Sequence, residues 1–217
     1  MPPIKKVSIA ITVLLCGLLG AAHAEDAESL EARQSIQAFL DSATRYSARF
    51  VQQLVDEEGV VLEEGRGEFW LQRPGKFRWH YAPPMERVLV SDGMRIWLHD
   101  VELDQITIRS ADGALEQTPA GLLVGSPTAL DNYQLSIRER KGRQIYIGLS
   151  PKNAQSDFKD IVLGLEGNKL VSLVLADRFG QQTVIQFTDI RLDPPIAAAV
   201  FSLEIPAGTD VIDQTAQ

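Results

Sequence analysis

Between residues 27 and 44 the apolar residues recur at helical spacing. Leu30, Ile36, Phe39 and Leu40 are placed on one stripe with polar residues elsewhere, which predicts an amphipathic helix. From residue 45 the pattern changes to β-branched and aromatic runs separated by turn residues. The runs are 45–56, 60–72, 76–82, 86–91, 94–99, 104–110, 132–140, 143–150, 158–166, 169–177 and 181–190. Asp92-Gly93 and Gly167-Asn168 suit tight two-residue hairpins, and Glu57-Glu58-Gly59, Arg73-Pro74-Gly75 and Lys141-Gly142 are further turn signals. Strands joined this closely pair antiparallel, because a parallel crossover needs a dozen or more residues.

The long interruption is 111–131. Thr118-Pro119 reads as a helix start, Ala120 to Val124 as a short apolar turn, and Ser126-Pro127 as the opening of a second short helix to Leu130. After 190, Asp193-Pro194-Pro195 breaks the last long run. Ala197 to Val200 is then a weak helical turn, 201–205 one more short strand, and the tail after Val211 loose. The expected fold class is mainly β with short helices (α+β). About eleven antiparallel strands carry an N-terminal helix and a short helical insertion. A sheet of that length curls into a barrel or half-barrel, and the insertion is the spare apolar element that could fill its hollow.

The first 24 residues are an export signal in pattern. Lys5 and Lys6 precede an apolar core from Ile9 to Leu19, and Ala22-His23-Ala24 fits small-x-small cleavage. The competing use of this segment is lipid attachment at Cys16, but Leu15 stands where such signals carry a small residue. Cleavage takes the chain from 217 residues to 193, and loss of two lysines and no acids takes the charge from −8 to −10. The only cysteine goes with it, which excludes an intramolecular disulfide framework. One exported, soluble domain over 25–217 is expected, periplasmic in a cell with two membranes.

A net charge of −8 argues against a nucleic-acid binder, which needs a basic face. Gly125-Ser126 lacks the rest of a nucleophile elbow, and no phosphate-loop motif occurs. Gly65-Arg66-Gly67 lies among strand residues and reads as a bulge or a close strand approach rather than a dinucleotide site. His80 and His99 sit in strands without metal-ligand spacing, so no enzyme, metal or cofactor is expected.

What stands out is the segment from Phe69 to Tyr81, which holds five of the chain's fifteen Phe, Trp and Tyr residues. Arg73, just before the turn proline, could reach carbonyls of another segment with charge-assisted bonds worth about 1.5–3 kcal/mol each. Phe50-x-Gln52, Gly65-x-Gly67-x-Phe69-Trp70, Arg73-Pro74-x-x-Phe77-x-Trp79, Leu89-Val90-Ser91-Asp92-Gly93 with Trp97, Thr118-Pro119, and Phe201-Ser202-Leu203-x-x-Pro206-x-Gly208-x-Asp210-Val211 follow in order. In that order and spacing the chain resembles the LolA family of periplasmic outer-membrane lipoprotein carriers, over essentially all of 25–217.

The resemblance implies an unclosed β half-barrel capped by a helical lid. The implied cargo is the acyl chains of lipoproteins, loaded by an inner-membrane ABC transporter complex (LolCDE) and passed to an outer-membrane receptor (LolB). It implies no catalysis and a monomer. It assigns Arg73 as the latch of the lid and places Phe77 and Trp79 at the cavity mouth. The expected lining is Phe50, Phe69, Leu71, Phe77, Trp79, Leu89, Ile96, Leu98, Leu122 and Leu123. Parity does not say which residues of uniformly apolar runs such as 88–90 or 171–175 face the hollow. Two alternatives remain: a paralogue carrying another amphiphile, and a lipoprotein sensor of the RseB type, which chain length disfavours because such sensors carry a second domain.

Overall fold

Each of the eleven runs forms one strand, and the hairpin signals set their order. A computed structural model describes residues 16–42, 44–111, 123–124 and 127–215. The N-terminal half holds β1 (Arg45–Val55), β2 (Val61–Gln72), β3 (Lys76–Tyr81), β4 (Arg87–Asp92), β5 (Arg95–Asp100) and β6 (Gln105–Ser110). The C-terminal half holds β7 (Tyr133–Lys141), β8 (Gln144–Pro151), β9 (Phe158–Glu166), β10 (Lys169–Asp177), β11 (Gln182–Leu192) and β12 (Asp210–Asp213). All twelve lie in one sheet of order β12-β6-β5-β4-β3-β2-β1-β11-β10-β9-β8-β7. The two halves meet where β1 pairs with β11, Phe50 opposite Phe187. β7 and β12 are the two ends of the series, so the sheet is unclosed.

Curvature follows from the side chains. Trp79 on β3 and Phe187 on β11 are three strand steps apart, about 14 Å on a flat sheet. Their ring centroids are 6.0 Å apart, so the sheet curls toward the face that carries them.

The helix α1 (Cys16–Ser42) packs against that concave face near β7 and β9. It begins well before the expected residue 27, because the Ala- and Leu-rich stretch of 16–26 favours helix. Its buried stripe is Ala32, Ile36, Phe39 and Leu40. Leu30, expected on that stripe, is 56% exposed, since six residues of helix turn it about 240° from Ile36. Arg33 pairs with Asp131, in the 3-10 turn before β7, at 3.0 Å, and Glu31 with Arg140, near the end of β7, at 2.7 Å.

The chain's end differs from expectation. The short strand expected over 201–205 does not form; a 3-10 turn (Ala198–Phe201) lies on the convex side of β3 and β4 instead. There Arg78 donates to the carbonyls of Val200 (3.4 Å) and Ser202 (3.1 Å), and Phe201 is buried. Val88, Val90, Ile106 and Ile108 are buried on this same convex face. The tail expected to be loose then forms β12, which pairs in parallel with β6. That is the one parallel pairing among the described residues. Of the expected insertion helices, the second is present as a 3-10 helix (Pro127–Asn132). Thr118, Pro119 and Ala120 lie outside the described residues.

Candidate functional site

Antiparallel register assigns faces, because directly paired residues share a side of the sheet. Ala48, Phe69, Trp79, Leu89 and Leu98 form one row across β1 to β5. Tyr46, Leu71, Phe77, Ser91 and Ile96 form the next. Phe50 faces Gly67 on one side and Phe187 on the other. The eight expected strand residues, Phe50, Phe69, Leu71, Phe77, Trp79, Leu89, Ile96 and Leu98, therefore stand together on the concave face. Leu123 is buried in the same cluster, and Leu122 lies outside the described residues. Leu89 points inward between Val88 and Val90, which point to the convex side.

Along this face cover thins. Phe50, Phe69, Leu71, Phe77 and Trp79 are buried, Leu89 and Ile96 half-buried, and Leu98 is 39% exposed. The inner wall is aromatic. Phe69 and Trp79 lie 4.4 Å apart, Phe50 and Trp79 5.2 Å, Phe50 and Tyr81 5.0 Å, and Phe69 and Phe187 5.8 Å. Their tilted and edge-on packing is the favoured geometry for such rings. Gly67 makes the wall possible. A Cβ there would overlap the His80 carbonyl oxygen and stand 3.0 Å from the Phe50 ring. Of the two expectations for this glycine pair, the close approach holds and the bulge does not, since the register with β1 is unbroken there.

Sequence reasoning missed the other half of the wall. Tyr46, Ile147, Leu149, Leu163, Leu173, Ile185 and Phe187 belong to the same buried cluster. The strands from β8 to β10 are apolar on both sides, so alternation carried no signal there. Phe187, between polar Gln186 and Thr188, and Tyr46, between Arg45 and Ser47, were the detectable exceptions.

The polar groups at this face are largely committed. Tyr81 donates to Gln52 Oε1 at 2.8 Å, and burial foremost pushes its phenol up to about 12. Tyr46 donates to the Leu170 carbonyl at 2.6 Å, and burial raises its pKa as well. Trp79 is different: its indole N–H is buried with no acceptor among the described residues.

Arg73 sits at the turn joining β2 and β3. Its N–H donates to the Thr44 carbonyl at 2.8 Å, and its guanidinium lies 4.9 Å from the Phe39 ring centroid. Burial lowers its pKa to about 10, against the opposing pull of Asp193 and Asp41. Two residues on, Gly75 has φ +75° and packs against Gly93. The Gly75 N–H donates to the Val124 carbonyl at 3.0 Å, and Ser91 Oγ donates to the Gly75 carbonyl at 2.9 Å. The turn is thus held by β4 and tied by backbone to the β6–β7 connection. Leu123, Val124 and Leu130 of that connection are buried in the concave cluster.

This arrangement offers no acid–base or nucleophilic set at the hollow among the described residues. It offers an apolar aromatic surface that excludes water, covered by a helix and a tethered connection. Such an architecture belongs to the unclosed half-barrels with an apolar concave face. Two solved structures agree at the level of fold. An uncharacterized conserved protein from Thermus thermophilus matches 89% of this chain and 99% of its own, with TM-score 0.52 and 12% identity. MucB matches with TM-score 0.51 and 15% identity over 85% of this chain and 66% of its own.

Sequence comparison narrows the class. Residues 41–204 match the model of the outer membrane lipoprotein carrier protein LolA. The chain belongs to the LolA family. Proteins named outer-membrane lipoprotein carrier protein are similar throughout. That of Methylococcus capsulatus is 39% identical over 178 residues, 82% of this chain and 86% of its own. That of Chromohalobacter salexigens is 41% identical over 180 residues (82% and 85%), and that of Alkalilimnicola ehrlichii 38% over 209 (96% and 95%).

Proposed function

We propose that this protein carries lipoproteins by enclosing their acyl chains in the concave hollow, and that it performs no catalysis. The observation that carries this is the patch of concave-facing aromatic and aliphatic residues that spans β1 to β5, from Phe50 to Leu98. Its cover is the protein's own detachable parts. Each methylene removed from water contributes about 0.8 kcal/mol, so three chains of about sixteen carbons would cost roughly 35–40 kcal/mol to hold bare in water. A carrier must supply apolar surface on that scale and still release it.

In this form the hollow is filled by α1 and by Leu123, Val124 and Leu130. Entry of acyl chains displaces the β6–β7 connection, which acts as the lid. Arg73 is its latch, beside the backbone tie from Gly75 to Val124. Phe50, Phe69, Leu71, Phe77, Trp79, Leu89, Ile96, Leu98, Leu122 and Leu123 line the loaded hollow. Residues 1–24 direct export, and 25–217 works as one monomeric domain in the periplasm. Loading comes from a LolCDE-type transporter and unloading goes to a LolB-type receptor. The family relationship and the relatives' names support this reading. Among the described residues no helix is long and apolar enough to cross a membrane.

The test is release of radiolabelled lipoprotein from spheroplasts by the purified protein. Release in proportion to added protein is expected, and no release above buffer refutes the proposal. Arg73→Leu should fold normally and alter the rate of loading or hand-over. A wild-type rate in both steps removes Arg73 from the latch.

A further inference from the structure

An indole N–H can donate but not accept, so a buried one needs an acceptor or carries the cost of its lost hydration. Trp79 is 6% exposed, and its Nε1 is shielded without an acceptor among the described residues. Its ring neighbours Phe50, Phe69 and Phe187 carry no oxygen or nitrogen in their side chains. The nearby polar groups are engaged elsewhere, Tyr81 with Gln52 and Ser91 with Gly75. The chain has three tryptophans, and the other two face away. Trp70 pairs with Arg78 and Trp97 with Val90, both on the convex side. A wall meant only to repel water would do as well with phenylalanine at 79.

We propose that the Trp79 N–H is a carbonyl anchor: it binds the ester or amide C=O at the head of an acyl chain. This rests on the carrier reading. The bond would set how deep a chain enters, with the carbonyl at Trp79 and the methylenes against Phe69, Phe50 and Phe187. It also makes the hollow selective for acyl over alkyl chains, because an ether or alkane of equal length brings no carbonyl. The expected preference is roughly three- to tenfold, the range of one net hydrogen bond.

The experiment compares a diacylglycerol with the dialkyl ether of the same chain length, each displacing a bound apolar fluorescent dye from the full chain. Wild type should prefer the ester, and Trp79→Phe should bind the two lipids with equal affinity. In wild-type protein labelled with nitrogen-15, one of three indole resonances should move downfield with the ester and stay with the ether. That resonance should be the one missing from Trp79→Phe. Equal affinities in wild type, an ester preference that survives in Trp79→Phe, or a shift at Trp70 or Trp97 instead would overturn the anchor alone. Failure of both lipids to displace the dye would overturn the carrier reading and the anchor with it. The wild-type resonance reads the bond directly, so the result does not depend on the variant folding.

Discussion

Gly67 and Gly148 lend themselves to the same substitution with opposite expected outcomes. An ideal Cβ at Gly67 overlaps the His80 carbonyl oxygen, stands 2.9 Å from its carbon and 3.0 Å from Phe50 Cε1. Those atoms are backbone and a buried ring, so β2 and β3 must part locally. The adjoining ladder bond, Ala82 N–H to the Arg66 carbonyl at 2.8 Å, is strained with them. Overpacking costs about 1–3 kcal/mol and a weakened backbone bond about 0.5–1.5. Gly67→Ala should therefore destabilise by about 3 kcal/mol. At Gly148 the Cβ overlaps Arg138 Nε and stands 3.0 Å from its Cζ, but this is the far end of a half-exposed side chain. Arg138 can swing out, giving up its 3.2 Å pair with Asp160, a surface pair worth at most about 1 kcal/mol. Asp160 keeps its bond from Ser150 Oγ at 2.9 Å. Loss of glycine's freedom in the unfolded chain returns about 0.4–1 kcal/mol. Gly148→Ala should be close to neutral. Urea unfolding reads both: a midpoint lower by about 1 M or more for Gly67→Ala, and within about 0.3 M of wild type for Gly148→Ala, at equal slope. Equal midpoints for the two variants would refute the reasoning.

Three further outcomes follow from the geometry. Phe77→Glu sets a carboxylate in a site that is 1% exposed, so retention of an acyl probe at pH 7 should fall about tenfold or more; a wild-type off-rate argues against it. Phe201→Ala should cost about 3 kcal/mol and speed amide exchange in β12 ahead of β1 and β2; uniform exchange would mean the convex arm is not held by that ring. Tyr81 has a folded pKa pushed up to about 12, above its ordinary 10, so its contribution is complete below pH 10 and is lost as pH rises toward 12. Tyr81→Phe should flatten the fall of stability over that window by about 1.4 kcal/mol per pH unit; an unchanged slope would place the titration elsewhere.

How far the fold was legible depended on what encodes each part. Hairpins were legible because their turns demand particular residues: Gly59, Gly75, Gly93, Gly142 and Gly167 all adopt positive φ where turns were expected. The inward face of β2 to β5 was legible where aromatic residues alternate with polar ones, as in Phe77-Arg78-Trp79-His80. It was not legible in β10, a central strand whose neighbours half-cover both sides, so Leu173 and Val174 look alike in sequence. β12 was invisible because its residues are exposed on both faces, so no apolar pattern marks it, and its strand pairing is the ladder to β6. The segment after Phe201 misled for the converse reason. Phe201 is buried on a face already made by β3 and β4, Arg78 takes the carbonyls of Val200 and Ser202 in place of a strand partner, and Ile205 beyond them is left exposed.

The join between β1 and β11 also governs how the chain can acquire its shape. It pairs residues near 50 with residues near 187, while every other neighbour of β1 to β5 is local in sequence. A chain made from its N-terminus forms the meander β1 to β6 early and must wait for most of its length before β11 arrives. Through that interval Phe50, Phe69 and Trp79 face water with neither α1's final seat at β7 nor Phe187 in place. Distant pairings of this kind slow folding and leave intermediates prone to self-association. The surface suited to sheltering another molecule's hydrocarbon is, until the last long strand docks, itself in need of shelter.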